Sequence, residues 1–77
     1  MEEKLKSVIK DIESHVEWEQ ELINKCSVEI KEYAQKYAPE NMVVFLPSKI
    51  KELEDAINRK KKYIEQLNML QFIQKNN

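Results

Sequence analysis

The sequence predicts an all-α protein: an antiparallel two-helix hairpin that dimerises into a four-helix bundle, a coiled-coil-like assembly. Three observations carry that expectation. Apolar residues recur at alternating steps of three and four through both halves of the 77-residue chain. Glycine is absent, and the only two prolines, Pro39 and Pro47, lie close together between the periodic halves. The apolar stripes are also wider than a single seam requires, so two helices alone would leave part of them wet.

The first helix is expected over residues 2–38. With Ile9 at heptad position a, the residues Leu5, Ile9, Ile12, Val16, Glu19, Ile23, Cys26, Ile30, Tyr33 and Tyr37 fall on alternating d and a positions. Only Glu19 interrupts this seam. Val8, His15 and Leu22 occupy the adjoining g positions and widen the stripe. Trp18 and Val28 fall outside it, on the side that a hairpin leaves to solvent. Glu2 and Glu3 at the start and Lys36 near the end suit the helix dipole.

A turn is expected over residues 39–47. Pro39 disfavours the α conformation at Ala38 and lacks the amide hydrogen that helix continuation needs. The pair Pro39-Glu40 would also suit the first positions of a new short helix. Between the prolines lies Met42-Val43-Val44-Phe45-Leu46, the longest unbroken apolar run in the chain. A run of that kind is unusual in a turn. It either caps the end of a core or meets a partner.

The second helix is expected over residues 48–74, with Ser48 as its N-cap. Ile50, Leu53, Ile57, Ile64 and Leu67 form its seam, and Lys60 stands at the one polar position. A turn over residues 39–47 then sets Tyr33 beside Leu53, Ile30 beside Ile57 and Ile23 beside Ile64. It also leaves the first turns of the first helix, with Leu5, Val8 and Ile9, overhanging the end of its partner.

Residues 1–77 make one domain, and a domain of this size buries only about 60% of the surface its unfolded chain exposes. Small chains of this kind rely on disulfides, metals or association. Cys26 is the only cysteine, which excludes an internal disulfide and fits a reducing compartment. No apolar run approaches the roughly 20 residues of a membrane span. The opening residues lack the basic and then apolar order of a signal peptide. The expectation is therefore a cytoplasmic protein with no membrane association. The Lys, Glu, Ile and Asn bias fits a bacterial or phage origin.

Catalytic chemistry has little support. Asp11, His15 and Glu19 share a helix face at steps of four, a spacing that metal ligands can use. The same pattern also describes a partly buried histidine flanked by acids, and no metal or cofactor is expected. Cys26 lies three turns from the single histidine, too far to be activated by it. Without glycine there is no phosphate-cradling loop. No enzyme is expected.

Two binding features remain. Trp18, Val28 and the run Met42, Val43, Val44, Phe45 and Leu46 are candidate partner-binding residues, because exposed aromatic and apolar side chains mark interfaces. Arg59, Lys60, Lys61, Lys62 and Tyr63 form the one basic cluster, which suits phosphate contact and base stacking. Consecutive helical positions point around the helix, however, and do not form one stripe. Residues 1–38 carry nine acids and six bases, and residues 39–77 carry five acids and seven bases. That asymmetry suits helix-on-helix pairing. The function expected is a helical protein–protein interaction module that forms a homodimer and docks on another protein as adaptor, assembly factor or inhibitor. Nucleic-acid binding through the basic cluster is the alternative.

Overall fold

The computed structural model describes residues 2–76 and consists of two helices, α1 (Glu2–Lys36) and α2 (Pro39–Lys75), packed against each other as a hairpin. The molecule is a rod with extents of 57 × 14 × 13 Å. Among the described residues no helix is long and apolar enough to cross a membrane.

The seam predicted for α1 is the one it turns inward. Ile9, Glu19 and Cys26 are buried, and Leu5, Ile12, Val16, Ile23, Ile30 and Tyr33 are half-buried beside them. Glu2 and Glu3 occupy its first turn and Lys36 its last, so both ends complement the dipole.

The connection differs from the sequence expectation. The chain reverses over Tyr37 and Ala38 alone, and residues 39–47 are helical, not a turn. Ala38 is the N-cap residue, extended at φ −65° and ψ 152°, the conformation that a following proline imposes. Its carbonyl accepts hydrogen bonds from the amides of Asn41 and Met42 at 2.9 and 3.2 Å. Pro39 is thus the first residue of the helix, where its missing amide costs nothing. Ser48 is an interior residue and not a cap.

Pro47 lies inside α2. Its missing amide leaves the Val43 carbonyl without its usual helical donor. Pro47 and Val43 are both exposed, so water can serve that oxygen. What carries the helix through the proline is the inward pattern. Met42, Leu46, Lys49, Leu53, Ala56, Lys60, Tyr63, Leu67, Leu70 and Gln74 are the buried or half-buried positions at alternating steps of four and three, unbroken across Pro47.

Two further expectations are corrected by this longer α2. The seam is rotated by one residue, because Lys49, Ala56 and Tyr63 point inward where Ile50, Ile57 and Ile64 were expected. Ala56 has no exposed surface, and its small side chain allows the helices to approach closely there. The register also moves by about two helical turns. Tyr33 meets Phe45, Cys26 meets Glu52 and Glu19 meets Arg59. As a result α1 does not overhang, and Leu5 and Val8 line a cleft with Leu70 and Ile73 at the open end of the hairpin.

Candidate interaction surfaces

Charged groups at the helix boundary fix the register. Arg59 Nε donates to both carboxylate oxygens of the buried Glu19, at 3.0 and 3.1 Å. That bond raises the Arg59 guanidinium further above its ordinary value. Lys60 Nζ donates to the side-chain oxygen of Gln20. Lys49 Nζ lies 2.6 Å from Glu29 and 3.2 Å from Glu52. Its hydrogen bond holds the Glu29 carboxyl below the ordinary range, and the two acids push the ammonium up. Cys26 is buried, its Sγ 4.0 Å from Glu52.

The basic cluster is therefore divided. Arg59 and Lys60 are engaged across the hairpin, and the ring of Tyr63 stacks on His15 at 5.0 Å between centroids. Lys61 and Lys62 alone of the five project into solvent with no partner among the described residues. The helical trio Asp11, His15 and Glu19 is divided in the same way, since His15 faces Tyr63 and Glu19 is held by Arg59.

The expected partner-binding residues also separate. Met42 and Leu46 turn inward and are half-buried, whereas Val43 and Val44 are 74% and 70% exposed. Phe45 joins Tyr33 and Tyr37 in a three-ring cluster with centroid separations of 5.5 to 6.3 Å, which closes the turn end of the rod. Trp18 is 66% exposed in the middle of α1, in a shallow hollow with Glu21, Leu22 and Lys25. It lies about 28 Å along the helix from Tyr37, so the tryptophan and the turn belong to different surfaces. Val28 is exposed and forms no part of either.

A further surface was not recognised from the sequence as a surface. Val43, Ile50, Ile57 and Ile64 stand seven residues apart and share one edge of α2. The three isoleucines are 42%, 45% and 37% exposed. Their regular spacing was legible, but it was assigned to the seam between the helices and not to an open edge. At the far end, the apolar cleft between the start of α1 and the end of α2 has a volume of about 390 Å³, and Met69 and Phe72 are exposed nearby. No protein-family model matches the chain, and no curated protein or solved structure is significantly similar to it.

Proposed function

We propose that this chain is a non-enzymatic helical interaction module, which self-associates and docks on another protein as adaptor, assembly factor or small inhibitor. One observation supports this above the others. Among the described residues only Ile9, Cys26 and Ala56 are buried apolar side chains, while thirteen large apolar ones are exposed. Two helices bury one line of contact and leave the remaining apolar surface to be covered by association. The exposed residues spread along the whole rod, so a covering helix or bundle suits them better than a compact ligand. The docking role falls to Trp18, Val28 and the turn-end residues Val43, Val44 and Phe45.

The test is affinity purification from the native cell with the wild-type chain and with a Val44→Asp/Phe45→Asp variant. Loss of a partner from the variant supports docking through the turn end, and retention of every partner removes that role. A salt titration of DNA or RNA binding tests the nucleic-acid alternative. It predicts affinity that falls steeply with salt and is lost in Lys61→Glu/Lys62→Glu.

A further inference from the structure

We infer that the open edge of α2 is the contact between two copies of this chain, arranged antiparallel about a two-fold axis that passes beside Ile57. The inference rests on the self-association just proposed and specifies its face and direction.

Three neighbouring lines of residues run along that edge at steps of seven. The first holds Ile50, Ile57 and Ile64; the second holds Glu54 and Lys61; the third holds Lys51, Asn58 and Glu65. Each line reads as its own complement when reversed about residues 57 and 58. An antiparallel second copy centred there sets Ile57 on its counterpart and Ile50 against Ile64. The same placement brings Glu54 to Lys61 and Lys51 to Glu65 of the second copy. By the two-fold symmetry every such pair occurs twice. A parallel copy in register would instead set Lys51 on Lys51 and Glu54 on Glu54, which like-charge repulsion opposes. Charges on one side of an apolar line set partner and direction in this way in paired helices.

The groups required are available. Glu54, Lys61 and Glu65 are exposed and form no ion pair among the described residues. Lys51 has only Asp55 of its own helix, at 3.9 Å, and is 78% exposed. From Ile50 to Glu65 the edge runs about 22 Å along α2.

Sedimentation equilibrium with three variants tests the inference. Lys51→Glu/Lys61→Glu makes the edge wholly acidic, and Glu54→Lys/Glu65→Lys makes it wholly basic. Each variant alone should dimerise at least about tenfold more weakly than wild type. An equimolar mixture should form a one-to-one heterodimer, because every pair across the axis is then complementary. Ile57→Asp should be monomeric and keep its helical circular dichroism, since Ile57 stands on the open edge and is 45% exposed. Rescue in the mixture cannot arise from an effect on folding of either chain. A wild-type chain that remains monomeric at about 100 µM overturns the inference and leaves the edge to a foreign protein. A dimer that survives all three variants also overturns it, while self-association through another face stands.

Discussion

Arg59 reaches across the hairpin and holds both oxygens of the buried Glu19 carboxylate from a single Nε. The pair is asymmetric, because Glu19 is 6% exposed whereas the Arg59 side chain is 46% exposed. Removing the arginine strands a buried charge, but removing the carboxylate releases a cation into water. Arg59→Ala should therefore lower the thermal midpoint clearly, and Arg59→Ala/Glu19→Leu should recover it to wild type or above. Thermal unfolding followed by circular dichroism reads the order. A double variant no better than Arg59→Ala would contradict the role given to the stranded carboxylate.

Ala56 has no exposed surface between α1 and α2. Ala56→Leu inserts three carbons where there is no room, and should cost about 1–3 kcal/mol in urea unfolding. Ile57→Ala, one position away on the open edge, should cost the isolated hairpin less. Equal losses at the two positions would mean that the seam is rotated toward Ile57.

Pro47 interrupts the hydrogen-bond ladder of α2 on its wet side. Pro47→Ala restores the amide donor to the Val43 carbonyl and should raise stability by about 1–3 kcal/mol. The expected signature is a higher urea midpoint with an unchanged slope. A destabilised variant would show that the proline is required for the geometry of residues 39–46.

Glu29 is held ionised by Lys49 at 2.6 Å, which places its carboxyl below the ordinary 4.5. A lowered carboxyl contributes fully above the ordinary value, and its contribution is lost as the pH falls through the folded one. The raised Lys49 contributes below its ordinary 10.5 and is lost only as the pH rises through a still higher value. The pair is thus intact at neutral pH and fails first in acid. Glu29→Gln should lower the neutral plateau slightly and flatten the fall in urea midpoint between about pH 5 and pH 2.

Much of this arrangement was legible in the sequence. The α1 seam, including its break at Glu19, follows from residue spacing, because bulky apolar residues occupy nearly all of its positions. The α2 seam does not announce itself in that way. Lys49, Ala56, Lys60 and Gln74 are charged, small or polar, while Ile50, Ile57 and Ile64 stand one residue beyond the inward Lys49, Ala56 and Tyr63. Ranking by hydrophobicity selects the isoleucines, whereas close packing and cross-helix charge select alanine and lysine. Pro47 misled for a related reason. A proline is a sound sign of a helix end, and only its placement on an exposed face makes it tolerable inside one. The separation of Trp18 from the turn, by contrast, required only the helix rise.

The proline on the exposed face also bears on how this rod comes apart. A ladder of backbone hydrogen bonds transmits cooperativity along a helix, and here it has a missing rung between the aromatic end and the long remainder of α2. Unzipping can start above that rung, where the cluster of Tyr33, Tyr37 and Phe45 and the half-buried Met42 and Leu46 hold the tip. It need not propagate into the stretch pinned by Glu29 and Lys49. Amide protons of residues 40–46 should accordingly exchange as one early group, well ahead of those around Ala56. The rod has a detachable tip.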